Sequence, residues 1–250
     1  MLRILEPIWK TKTETATRLR GRIESVLDWA TVRGFREGEN PARWKGHLDK
    51  LLASPSKIAK VKHFTALPYK EIPQFMKQLR TQEGIGASAL EFAILTASRS
   101  GEVRGALWPE IDLNERMWTI PGERMKAGRE HRVPLSDAAF TVIERMKEVY
   151  VSNHIFPGRK QDKPLSDMSL TAVLKRMDRS DLTAHGFRST FRDWTSETTT
   201  FPREVCEMAL AHTIENKVEA AYRRGDLFEK RINLMNDWAR YCGEFTDSSD

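Results

Sequence analysis

Apolar residues return every three or four positions along most of the chain, which is the spacing of amphipathic helices. In residues 13–35, arginines lie between the apolar positions, so this stretch predicts one basic helix that ends at Gly34. A turn is expected at Asn40-Pro41, and a second short helix over residues 44–52. The first part of the chain is therefore expected to be helical.

The same spacing continues beyond residue 68 and is interrupted once. Two segments with strand character, residues 117–121 and 131–135, flank a polar, glycine-containing stretch and predict a hairpin with a long connection. Ser136 or Asp137 can cap the helix that follows. Helices are predicted over residues 69–82, 87–97, 101–107, 137–150, 166–179, 185–195, 202–211, 216–222 and 227–243. The expected fold is mainly α with a small antiparallel β-sheet, an α+β arrangement.

A polar, basic and turn-prone run from Ala53 to Lys62 has the composition of an interdomain linker. We therefore predict a helical region over residues 1–52, a linker over 53–64, and a larger domain over 65–250. Two helices bury little core, so residues 1–52 are expected to be the end of a domain whose beginning is absent.

Charge is distributed unevenly along the chain. Residues 1–62 contain 14 Lys and Arg against 7 Asp and Glu, whereas the remainder contains 27 against 28. A basic front suits the phosphates of nucleic acid, although a solvated basic face explains the charge equally well. No secretory signal or membrane span is apparent, so a cytoplasmic location is expected. Cys206 and Cys242 are too few for a disulfide framework and are expected to be reduced and structural.

Several residues could carry chemistry, although each alone has an ordinary explanation as a surface, capping or core residue. Arg99 lies at a junction between helices, where anions are readily bound. His185 and Arg188 are three apart and share a helix face, with Phe187, Phe191 and Trp194 beside them as expected core residues. The other candidates are Lys126 in the hairpin connection, His212 after an apolar helix, and Tyr222 before a Gly-Asp break.

Taken together, the order of these residues resembles the active-site signature of the tyrosine recombinases. The similarity continues through Leu-Thr-Ala-Ser-Arg99-Ser-Gly-Glu, Arg-Met-Lys126, His185-Gly-Phe-Arg188 and Ala-Ala-Tyr222-Arg-Arg-Gly-Asp. It covers nearly all of residues 63–243, and these motifs look like those of prophage and genomic-island integrases of the satellite-phage type. Residues 14–52 look like the end of that family's core-DNA-binding domain.

The resemblance implies a tyrosine recombinase catalytic-domain fold and a site-specific recombinase for integration and excision. Tyr222 would attack the scissile phosphate and hold the DNA as a 3′-phosphotyrosine. Arg99 and Arg188 would clamp the non-bridging oxygens, for which a guanidinium is well shaped.

The remaining roles also follow from the resemblance. Lys126 would protonate the departing 5′ oxygen, and His185 would transfer a proton at the tyrosine. His212 would hydrogen-bond the phosphate, and Glu102 would support the site. No metal or other cofactor is expected.

The resemblance implies double-stranded DNA attachment sites as the ligand and a homo-tetramer on DNA, with a monomer as the alternative without DNA. It also implies a DNA-bending accessory protein and a location at the bacterial nucleoid. Residues 227–243 could dock on a neighbouring protomer or pack in their own core. Two other functions stay open: a catalytically idle DNA-binding regulator, and a type IB topoisomerase-like enzyme that relaxes DNA. A third possibility, a helical scaffold, predicts no stable DNA binding.

Overall fold

The structure is a computed structural model that describes residues 1–58, 65–149, 151–160, 162–212 and 225–243. Its contacts divide the chain into two compact units, Met1–His63 and Phe64–Asp250. A helical turn, Pro55–Ile58, lies inside the stretch that the sequence assigns to a linker. Residues 59–64 are outside the described part, so the linker over 53–64 stays a prediction.

The first unit is built on a long helix. Helix α1 (Leu2–Trp9) precedes α2 (Thr13–Val32), and the turn Pro55–Ile58 is α3. Helix α1 is not predicted by the sequence analysis, and Pro7 inside it weakens the helical signal because proline cannot donate a backbone hydrogen bond. A small apolar core holds the unit together: Leu5, Trp9, Ala16, Leu48 and Leu52.

The helix predicted over residues 44–52 is wrong in extent, since only a 3₁₀ turn, Leu48–Lys50, forms there. Gly46 has φ of 76°, a left-handed conformation that interrupts an α-helix. The turn before it is present as predicted. Asn40 Nδ2 donates to the carbonyl oxygen of Glu24 at 2.9 Å and to Oδ1 of Asp28 at 2.6 Å.

The second unit contains the predicted helices with their ends moved by a few residues. The one predicted over residues 216–222 lies outside the described residues. Ser136 is the N-cap of the helix after the hairpin, and its Oγ accepts from the N–H of Ala139. The helices are α4 (Ile72–Arg80), α5 (Ile85–Leu95), α6 (Ser100–Arg104), α7 (Asp137–Glu148), α8 (Ser169–Arg176), α9 (Gly186–Thr198), α10 (Arg203–Ala209) and α11 (Phe228–Gly243).

Helix α5 is the centre of this unit and packs against α4, α6, α7, α8 and α11. It is apolar on nearly all sides, as a helix surrounded by others must be. Its buried Glu91 is paired with Arg80 and Arg145, each at 2.7 Å. Trp238 of α11 donates to the carbonyl oxygen of Ile94 at 2.8 Å, so α11 packs in its own core.

A small antiparallel sheet has the order β1 (Ile111–Asp112), β2 (Met117–Ile120) and β3 (His131–Pro134). The predicted hairpin of β2 and β3 is confirmed, with Trp118 opposite Val133 and Ile120 opposite His131. Strand β1 is not predicted, because two residues are too few to show alternation. The mainly helical fold with one small antiparallel sheet is therefore confirmed.

Candidate active site

Arg99 lies in the short junction between α5 and α6, as the N-cap of α6. Helix α5 ends in a cap in which Ala97 has φ of 49° and the N–H of Ser98 donates back to the carbonyl oxygen of Ala93 at 3.2 Å. The Glu102 carboxylate, 5% exposed, accepts from Arg99 at both the backbone N–H (2.8 Å) and Nη1 (2.7 Å). The guanidinium is thereby fixed before any ligand arrives.

Arg188 lies in the first turn of α9 and is only 5% exposed. Its Nη1 donates to the carbonyl oxygen of Ala97, and its Nη2 donates to that of Leu210 at 2.6 Å. Burial and the nearby charge of Arg99 lower the pKa of Arg188 to about 10, so it remains a cation at neutral pH. Its Nε has no acceptor among the described residues.

The first turn of α9 lies directly against the segment that opens the second unit. A Cβ at Gly186 would come within 2.3 Å of the carbonyl oxygen of Thr65. One turn later, Thr190 Oγ1 donates to the carbonyl oxygen of Leu67 at 2.6 Å. These contacts fix the helix that carries Arg188. The predicted core residues of this helix are buried: Phe187, Phe191 and Trp194.

His212 follows a second cap of the same kind, at the end of α10. Ala211 has φ of 48°, and its carbonyl oxygen accepts from Arg99 Nη2 at 3.2 Å. The ring of His212 lies between two partners, with Nε2 at 3.3 Å from Arg188 Nη2 and Nδ1 at 2.7 Å from Glu207 Oε2. Because a guanidinium can only donate, Nε2 is the acceptor and Nδ1 carries the proton.

His185 precedes α9, and Lys126 lies exposed in the connection between β2 and β3. The pKa of His185 is lowered, first by partial desolvation and then by the charges of Arg188, Arg99, His212 and Lys126. The structure therefore brings the other four described candidates, Arg99, Lys126, Arg188 and His212, within electrostatic range of His185.

Tyr222 lies outside the described residues. The chain is described again from Gly225, and Asp226 is held tightly there. Arg132 of β3 makes two hydrogen bonds to its carboxylate, at 2.9 and 2.7 Å, and Arg231 makes another at 2.6 Å. Asp226 is thus tied to strand β3 and to helix α11.

Two residues in the site were not singled out from the sequence. His131 in β3 has its pKa lowered to about 4, chiefly by burial and then by Arg231, Arg188 and Arg99. Glu207 bridges His212 and Arg192. His131 is visible in the sequence only as a strand residue, and nothing in its local pattern shows that the charges of distant arginines act on it.

Other expected features concern metals, cysteines and membranes. Within the described ranges, no three His, Cys, Asp or Glu side chains come together as a metal site. Cys206 and Cys242 are buried free thiols. No helix in the described part of the chain is both long and apolar enough to cross a membrane.

Comparison with known proteins gives a consistent result. Residues 65–227 match the phage integrase family, and residues 1–47 match the phage integrase central domain. Prophage integrase IntA of Escherichia coli K12 is 35% identical over 231 residues, covering 90% of this chain and 54% of IntA. The integrase of Enterobacteria phage P4 is 28% identical, covering 95% of this chain and 58% of its own length. The chain thus spans little more than half of these relatives.

Solved structures share the fold at low sequence identity. A lambda integrase tetramer bound to a Holliday junction superposes with a TM-score of 0.62 at 17% identity, covering 85% of this chain and 63% of that one. The Tn1549 transposon integrase with circular intermediate DNA gives a TM-score of 0.61 at 11% identity, covering 94% and 77%. With the family match over residues 65–227, the chain belongs to the phage integrase family of tyrosine recombinases.

Proposed function

We propose that this chain is the catalytic portion of a site-specific DNA recombinase that integrates and excises a prophage or genomic island. The observation that carries the proposal is the convergence of two guanidinium groups and an imidazole, Arg99, Arg188 and His212, from three separate helix ends. Transfer of a phosphoryl group needs such a cationic frame, because negative charge develops on the non-bridging oxygens.

The reaction would proceed by exchange of one phosphodiester for another. The Tyr222 oxygen forms a bond to phosphorus as the bond to the 5′ oxygen breaks, and the 3′-phosphotyrosine conserves the energy for rejoining. Arg99 and Arg188 hold the non-bridging oxygens. Because their orientation is already set by Glu102 and by backbone carbonyls, little reorganisation is needed during the reaction.

Three other groups would assist the reaction, two of them by proton transfer. Lys126 gives its proton to the leaving 5′ oxygen. The lowered pKa of His185 favours an uncharged ring that can accept the tyrosine proton. His212, held between Arg188 and Glu207, would hydrogen-bond the phosphate.

The proposal extends to domains and partners. Residues 1–52 are the C-terminal part of a core-DNA-binding domain and residues 65–250 are the catalytic domain, joined by the linker 53–64. The ligand is a double-stranded attachment site, and the assembly on DNA is a tetramer. The lambda integrase tetramer on a Holliday junction supports this by analogy. Action at the bacterial nucleoid and help from a DNA-bending protein belong to the same proposal.

Trapping on a nicked suicide substrate tests the reaction. The substrate spans the integration junction of the element that encodes the chain, and the chain is compared with Tyr222→Phe on a denaturing gel. A covalent protein–DNA band that vanishes in the variant supports the proposal. Salt-sensitive DNA binding without a band would instead indicate a regulator, and plasmid relaxation without recombinants would indicate a topoisomerase-like enzyme.

A further inference from the structure

Lys126 lies on an exposed connection, yet the chain around it is held firmly. Met125 beside it is buried, with 7% of its surface exposed. The two ends of the connection press together, since a Cβ at Gly122 would lie 2.9 Å from the carbonyl oxygen of Gly128. The backbone around Lys126 therefore forms a compact loop whose two ends are in contact.

Two residues before Lys126, the guanidinium of Arg124 bridges to two other elements. Its Nη1 donates to the carboxylate of Glu110, and its Nη2 donates to the backbone carbonyl of Glu102. The Glu110 side chain is 8% exposed and that of Arg124 is 22% exposed. Glu110 is itself fixed, because its Oε2 also accepts from Trp118 Nε1 at 2.9 Å.

Glu102 joins this bridge to the phosphate clamp. Its carboxylate holds Arg99, while its carbonyl oxygen holds Arg124. Glu102 thus holds Arg99 through its side chain and Arg124 through its backbone, and Arg124 lies two residues before Lys126. A planar guanidinium can engage both acceptors at once, whereas the single ammonium of a lysine fits such a fork poorly.

We propose that Arg124 is a positioning residue that sets the reach of Lys126 relative to Arg99, so that the lysine proton meets the leaving 5′ oxygen. This inference rests on the proposed function. Proton donation requires hydrogen-bond distance to the leaving atom, and a displacement of about 1 Å can cost on the order of 100-fold in rate. Because the carboxylate of Glu110 neutralises the charge of Arg124, Arg124 acts on Lys126 through its position and not through its charge.

The test compares two suicide substrates that differ in the bridging atom of the scissile phosphate. One has the natural 5′ oxygen and the other has sulfur, which departs as a thiolate and needs no proton donor. Arg124→Met removes the bridge and keeps the apolar stem, and Lys126→Met removes the donor. Arg116→Met is the matched control, since Arg116 immediately precedes β2 and forms an exposed ion pair with Asp137 of α7.

On the oxygen substrate, Arg124→Met is expected to slow covalent-complex formation by about 10- to 100-fold with unchanged DNA affinity in a mobility shift. On the sulfur substrate, both Arg124→Met and Lys126→Met are expected to approach the parent rate. Arg124→Lys, which can still pair with Glu110, is expected to be intermediate on oxygen. Arg116→Met should match the parent on both substrates. A parental rate of Arg124→Met on the sulfur substrate would also show that this variant is folded.

Parental rates for Arg124→Met on oxygen, or an equal loss on oxygen and sulfur, would overturn the positioning role. Failure of the proposed function is distinguishable from this, because the parent itself would then give no covalent product on either substrate.

Discussion

The long helix of the first unit and the candidate site of the second unit differ in how far their arginines are exposed. In the first unit, α2 buries only Thr13 and Ala16 of its twenty residues, and the side chain of Arg18 is 72% exposed. In the second unit, Arg188 is 5% exposed and Arg231 is 1% exposed. An exposed cation is solvated by water and can move, whereas a buried cation needs hydrogen-bond acceptors around it to offset the loss of water.

The difference matches what each unit is proposed to do. Cations that contact a DNA backbone must extend to the phosphates and adjust to their positions. Exposed side chains on a long, thinly packed helix can do both. Cations that stabilise a reacting phosphate need fixed positions, and backbone carbonyls at Ala97 and Leu210 provide these. The comparison predicts that conservative changes matter greatly in the second unit and little on exposed surfaces.

The largest effect is expected for Arg188→Lys. The variant keeps the charge but cannot reach both carbonyl oxygens and a phosphate together, so covalent-complex formation should fall by about 100- to 1,000-fold. Single-turnover trapping on the suicide substrate measures this rate. Arg176→Lys is the matched control, because Arg176 also donates to two acceptors but lies exposed. Similar rates for the two variants would remove the distinction between buried and exposed arginines.

The second unit is expected to lose stability at acid pH, because His131 takes up a proton when this unit unfolds. Its pKa of about 4 lies below its ordinary value of 6.5, so the unfolded state binds more protons between these two values. Its contribution to the free energy of unfolding should therefore fall by about 3 kcal/mol as the pH drops from 7 to 4. His131→Gln should flatten this loss in denaturant titrations, whereas the exposed His47→Gln should not. Equal slopes for parent and His131→Gln would contradict the buried, uncharged ring.

Periodicity in the sequence predicts most of the fold because its signals are local. The alternation in β2 and β3 and the apolar stripe of α9 depend only on residues close in the chain. Helix α1 and strand β1 are not predicted, since one contains Pro7 and the other has two residues. The overextended helix at 44–52 fails at Gly46, whose left-handed conformation the spacing of apolar residues does not show.

The candidate site, by contrast, does not follow from local periodicity. Arg99, Lys126, His185, Arg188 and His212 were identified only through the resemblance of their order, because each alone has an ordinary explanation. The residues that hold them were harder to find. Arg124 reaches Glu102 and Glu110 across elements, and the charges that act on His131 belong to arginines distant in the chain. Such contacts exist only once the chain is folded.

A smaller effect is expected at Gly186. An added methyl group would meet the carbonyl oxygen of Thr65 at 2.3 Å, so α9 or the segment before α4 must shift. Gly186→Ala should cost about 1–3 kcal/mol in the free energy of unfolding, measured by denaturant titration. Gly101→Ala, with nothing within 4 Å of its Cβ, is the control and should not be destabilised. A neutral Gly186→Ala would show that this contact does not fix α9.

The smallest effect is expected in the first unit, with the opposite sign. Gly21 lies in the middle of α2, and a Cβ there would meet nothing within 4 Å. Alanine loses less conformational freedom on entering a helix, so Gly21→Ala should raise the free energy of unfolding by about 0.5–1 kcal/mol. Denaturant titration followed by helical circular dichroism measures the gain. A loss of stability would mean that this face of α2 is closely packed, and the contrast between a thinly packed first unit and a tightly packed second unit would fail.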